Sequence, residues 1–178
     1  MKYISLALLG WASLLSMSSQ ALQLSSPDIA EGQKMDAKFE YQGFGCNGGN
    51  QSPQLNWRDV PEGTKSFALT VYDPDAPTGS GWWHWIAIDI PASTRQLAAG
   101  VDIKKLGGLE LNNDYGSASF GGACPPKGHG MHRYVFTLWA LPTESLKLDV
   151  NASQAVAGYN LNASALAKAK LTATYVRE

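Results

Sequence analysis

Two segments decide the fold: Ser66 to Tyr72 (SFALTVY) and Trp82 to Ile90 (WWHWIAIDI). The first is apolar on nearly both faces, which suits a strand at the centre of a two-layer sandwich rather than one with a wetted side. The second is aromatic and β-branched and is closed by Pro91, which cannot donate to a sheet ladder. His132 to Leu141 (HRYVFTLWAL) reads as a third strand, closed by Pro142 in the same way.

Working outward, weaker strand signals run over 37–42 and 54–58, and Leu171 to Arg177 alternates as a final strand. The stretch 91–131 reads as a long loop region with Gly107-Gly108, Gly121-Gly122 and Pro125-Pro126. Connections of that length are uncommon unless they carry function. Asn151 to Ala169 is rich in Ala and has Ser153 as a cap, which predicts a helix with a break near Gly158. No internal repeat or interdomain linker interrupts the chain.

The 178 residues suit one domain with a real core. Fourteen Lys and Arg against fifteen Asp and Glu, without basic runs, argue against nucleic acid as a partner. Charged residues are only 16%, and 10% aromatics give the chain enough apolar surface to offset ordering. The expectation is a mainly β domain, rich in turns.

Residues 1–21 have the layout of a secretory signal peptide. Lys2 is the positive start, Ile4 to Leu15 is apolar, and Ser19-Gln20-Ala21 is a small-x-small cleavage pattern. The apolar run is shorter than the roughly 20 residues a membrane-spanning helix needs, so no stable membrane anchor is expected. The mature domain would be 22–178, in the periplasm or secreted. In an oxidising compartment, two cysteines without CxxC spacing read as one disulfide, Cys46–Cys124, rather than as free buried thiols or a catalytic Cys.

Candidate chemistry gathers in two places. Asp73 ends one predicted strand and His84 begins the next, so a hairpin would bring them to the same end of a sheet. Trp82 shares the parity of His84 and could wall the same cavity, while Trp83 and Trp85 are more simply core residues. The second place runs from Asn113-Asp114-Tyr115-Gly116 through Gly121-Gly122-Ala123-Cys124-Pro125-Pro126 to His129, His132 and Tyr134. His132 and Tyr134 are two apart on a strand and face one way. His129 reads as an exposed loop residue and Arg133 as an ion-pair partner or a solvated side chain.

Together, Asp73-Pro74-Asp75-Ala76-Pro77, Gly81-Trp82-Trp83-His84-Trp85 and the Pro125-Pro126…His132-Arg133-Tyr134 block resemble the two signature regions of the phosphatidylethanolamine-binding protein family. The resemblance is to its bacterial Raf-kinase-inhibitor-like branch (YbhB/YbcL type), and Asn50 to Tyr72 extends it over most of the chain. It implies an antiparallel β-sandwich with a few peripheral helices. It further implies a pocket for a small phosphate-bearing or other anionic ligand, built from Asp73, His84, His132 and Tyr134 and walled by Trp82 and Pro126. Modulation of a partner protein, as in a kinase inhibitor, belongs to the same expectation.

The residues themselves favour binding over reaction. Glycine-rich loops present backbone N–H groups to anions, and a protonated His adds charge-assisted bonds. There is no GxSxG elbow, and no cofactor motif leads to an expected cofactor. Two alternatives remain: a hydrolase using Asp73, His84 and His132 as acid and base, and a weaker one, a metal held by His84, His129 and His132.

Overall fold

The computed structural model describes residues 21–178, so the expected signal peptide falls outside the described residues apart from Ala21. Among the described residues are ten strands: β1 (Gln23–Ser25), β2 (Gln42–Gly43), β3 (Cys46–Asn47), β4 (Leu55–Arg58), β5 (Ser66–Asp73), β6 (Trp82–Pro91), β7 (Gln96–Leu97), β8 (Leu109–Glu110), β9 (His132–Leu141) and β10 (Ala167–Tyr175). One α-helix, α1 (Gln154–Ser164), lies near the C-terminus. The main sheet has the order β10-β9-β5-β6-β8 and is antiparallel throughout. A smaller antiparallel sheet, β1-β4-β7, covers one face, and β2-β3 is a separate hairpin.

The apolar character of Ser66 to Tyr72 on both sides follows from this layering. Phe67, Leu69 and Val71 pack with Leu55 and Trp57 of the smaller sheet, in a core that also holds Trp85 and Phe136. Ala68, on the opposite side, packs with Ile86, Ile88 and Trp139 against Ala157 and Leu161 of α1. Each such buried side chain of Val, Leu or Phe size stabilises the fold by about 1.5–3 kcal/mol.

Three sequence expectations are corrected. Residues 37–42 are not a strand: Ala37–Phe39 forms a 3-10 turn capped by Asp36, whose carboxylate accepts from Lys38 N, and pairing begins only at Gln42. The helix is unbroken at Gly158 but stops at Ser164, not Ala169. The Ala-rich residues after it enter β10, which pairs with β9 from Ala167↔Ala140 to Tyr175↔His132. Pairing along a whole strand outweighs the few tenths of a kcal/mol of helix propensity that Ala offers per residue. Finally, the region 91–131 is not all loop: it holds β7, β8 and a 3-10 turn at Ile103–Leu106.

Candidate functional site

The β5–β6 hairpin sets Asp73 opposite Trp82. Its turn closes tightly: a Cβ at Gly81 (φ 69°) would lie 2.2 Å from Tyr72 Oη, so only Gly fits there. Within the hairpin the register shifts, with Val71 opposite Trp85 and Tyr72 opposite Trp83. His84 is thus the extra residue of a β-bulge, a device that re-aims a side chain. Its carbonyl, free of the ladder, accepts from Gly121 N at 2.8 Å and Asn113 Nδ2 at 3.1 Å.

On the other side, β9 pairs with β5 and carries His132 and Tyr134 to the same sheet end. His132 Nδ1 lies 2.7 Å from Asp73 Oδ2, while Asp73 Oδ1 accepts from Asp75 N at 2.8 Å. Asp75 in turn grips Arg133 through its backbone N–H, Nε and Nη2, tying the turn to β9. That Arg133 contact holds the Asp75 carboxyl below its ordinary pKa.

Asp73, His84, His132, Tyr134, Trp82 and Pro126 all line one cavity of about 180 Å³. The four polar residues are at most 2% exposed. His84 Nδ1 stands 2.9 Å from Gly121 O and 3.1 Å from Gly122 O. Both are acceptors, so Nδ1 carries the proton and Nε2 presents a lone pair. Burial pushes the His84 pKa down to about 4, only partly offset by those carbonyls and by Asp73. Burial also raises the Tyr134 phenol, which stays a hydroxyl. Trp82 Nε1, His84 Nε2 and Tyr134 Oη are buried and have no hydrogen-bond partner among the described residues.

A family profile described as phosphatidylethanolamine-binding protein matches residues 25–176. The chain belongs to that family. It is 52% identical to the UPF0098 protein YbcL of Escherichia coli strain K12 over 165 residues, 90% of each chain. The crystal structure of YbcL, described as a new member of the mammalian family, superposes with a TM-score of 0.85 at 48% identity, covering 89% of this chain and all of that one. The UPF0098 protein YbhB of the same strain is 45% identical over 158 residues, 86% of this chain and 99% of that one. A Mycobacterium tuberculosis protein named as a lipoprotein, LppC, is 34% identical over 158 residues, 89% of this chain and 74% of its own.

For this family member, several side chains stand differently from their sequence expectation. Gly121 and Gly122 do not offer N–H groups to an anion: Gly121 N bonds His84 O, and Gly122 N bonds Asn50 Oδ1 at 2.7 Å. Their role is to accept, from His84 and from Tyr115 Oη. His129 is exposed, as expected, but its Nδ1 lies 2.8 Å from His132 Nε2, so it is joined to the site. A metal held by the three histidines would have to break the contact between His129 and His132, because His132 has Nδ1 on Asp73 and Nε2 on His129.

Sequence reasoning missed Phe44 as a lining residue, and it placed Tyr115 in the second candidate segment without assigning it to the cavity. Tyr115 stacks on Tyr41 with centroids 3.9 Å apart and meets Trp82 and His84 edge-on. No local pattern gives it that place, since its loop is held at the cavity by contacts distant in sequence: the Asn113 amide bonds His84 O, and Asp114 bonds the Trp83 backbone. The Cys46–Cys124 disulfide, with Cα atoms 5.9 Å apart, anchors the β2–β3 hairpin beside the cavity, where Cys124 is itself a lining residue. Arg177 braces both ends by donating to Gly45 O and Pro125 O.

Proposed function

We propose that this protein acts outside the cytoplasm as a binding protein for a small phosphate-bearing anion, and that the bound anion modulates contact with a partner protein. The observation that carries the reading is the convergence of three buried, unpartnered polar atoms, Trp82 Nε1, Tyr134 Oη and His84 Nε2, on one cavity. An unsatisfied buried polar atom costs about 1–3 kcal/mol, and ligand oxygens would recover it. Indole and phenol donate, whereas neutral His84 accepts. That pattern fits a phosphate monoester in its monoanionic form, which has oxygens for the donors and one P–OH for His84. Asp73 repels a dianion further.

The location outside the cytoplasm is supported by the leader-like residues 1–21, by the disulfide and by the lipoprotein name of one relative. Amino-terminal sequencing of the protein from its host is expected to begin at Leu22. Retention of Met1 on a soluble cytoplasmic species would overturn this.

Binding is tested by calorimetric titration of the protein with inorganic phosphate at about pH 5 and about pH 8, either side of the ionisation that turns the monoanion into the dianion. Tighter binding at the lower pH is expected, and its weakening in His84→Ala, which removes the Nε2 acceptor. Absence of binding at both, with turnover of a phosphate ester abolished by His84→Ala and His132→Ala, would assign the site to a hydrolase instead.

A further inference from the structure

The β2–β3 hairpin is closed by two residues, Phe44 and Gly45, between the pair Gly43↔Cys46. Both have positive φ, 51° and 77°. Two-residue hairpin turns with both central residues at positive φ favour Asn-Gly or Asp-Gly, because short polar side chains and Gly tolerate the left-handed region. A bulky residue there is an outlier that local folding does not explain. Nor does packing explain it: Phe44 is 73% exposed. Its ring only leans on Tyr41 and Tyr115, with centroids 6.0 and 5.6 Å away. The position therefore places a strained, solvated aromatic ring at the mouth of the cavity, the kind of local conflict found at ligand clamps.

Chemistry at that mouth is one-sided. The lining shared with Phe44 includes Ala76, Pro77, Pro125 and Pro126, with Thr78 as an uncharged polar residue. The one carboxylate among the lining residues is Asp73, and both of its oxygens are engaged, by His132 and by Asp75 N. An ammonium group on a ligand would find no free acid there.

We infer that Phe44 is a specificity-determining residue: its ring covers the apolar substituent of an aromatic phosphate monoester and selects it over phosphoethanolamine. This rests on the phosphate-anion reading above. The phosphate end would sit among Trp82, His84 and Tyr134, and the aryl ring would lie between Phe44 and the Pro125-Pro126 wall. Aromatic contacts favour offset or edge-on rings, which Phe44 and Tyr115 both offer at this opening.

The test is titration of the protein with inorganic phosphate, phosphoethanolamine and phenyl phosphate, for wild type, Phe44→Asn and Phe44→Tyr. Phenyl phosphate is expected to bind about ten-fold more tightly than the other two, the scale of one aromatic contact plus ring burial. Phe44→Asn should erase that preference, leave phosphate affinity within about two-fold, and melt no lower than wild type, because Asn suits the turn. Phe44→Tyr should keep the preference. Equal affinity for phenyl phosphate and phosphoethanolamine would overturn the inference, as would equal weakening of all three ligands in Phe44→Asn. So would a lower melting temperature for Phe44→Asn with the aryl preference intact. Phosphate binding without an aryl gain sinks this inference alone, whereas no binding of any of the three sinks the phosphate reading beneath it.

Discussion

His129 Nδ1 lies 2.8 Å from His132 Nε2, and the far side of the His132 ring meets Asp73 at 2.7 Å. An exposed loop residue is thus joined through one imidazole to a buried carboxylate. The His132 Nδ1 proton points at Asp73, so with both rings neutral the bond between the rings runs from His129 Nδ1–H to His132 Nε2. A proton on every ring nitrogen would set two donors face to face and break it. Nitrogen NMR of the imidazoles is expected to show Nδ1–H on both rings when both are neutral, and an Nε2–H on His132 would contradict the assignment.

Removing the inner ring is far more damaging than removing the outer one. His132→Ala strips a buried carboxylate of its partner and is expected to destabilise by about 3 kcal/mol. His129→Ala leaves Asp73 paired and should stay within about 1 kcal/mol of wild type. Urea denaturation of the two variants checks the order, and equal losses would contradict the burial argument.

His84 makes stability depend on pH. Its folded pKa is about 4, below the ordinary value of 6.5, because burial penalises the charged ring. Between those values the unfolded chain takes up a proton that the folded one refuses, so stability falls as pH drops from about 6.5 toward about 4. The full effect is on the order of 3 kcal/mol. Unfolding free energies across this range should show the loss in wild type and a flatter profile in His84→Gln.

Tyr134 separates binding from stability. Its hydroxyl is buried and unpartnered in the structure. Tyr134→Phe is therefore expected to leave stability unchanged or raise it by about 1 kcal/mol, while weakening phosphate binding about ten-fold. A large loss of stability would show that the hydroxyl serves the fold.

Cys46 and Cys124 close a loop spanning 78 positions. In the chain-entropy view such a bridge stabilises by about 4–5 kcal/mol. Thiol counting on the denatured, unreduced protein should find none free, and Cys46→Ser with Cys124→Ser should lower the melting temperature by several degrees.

What the sequence alone determined is what local patterns encode. β5, β6 and β9 were legible because long runs of β-branched and aromatic residues end at Pro91 and Pro142. The joint position of Asp73 and His84 was legible because a hairpin is a local contact across one turn. The family was legible too, because its signature residues lie in those same segments. Tertiary structure decided the rest. That β9 pairs with β5, and so brings His132 to Asp73 across 59 positions, depends on how strands are ordered in the sheet. The bulge that turns His84 inward is a register shift between strands, and the carbonyls that settle its tautomer come from a loop 37 positions away. The end of α1 was set by the empty side of β9, which drew Ala167 to Tyr175 into a strand against their helix propensity. Phe44 and Tyr115 carry no periodic signal, because loop residues reach a cavity through contacts distant in sequence, and those exist only once the sheets have packed.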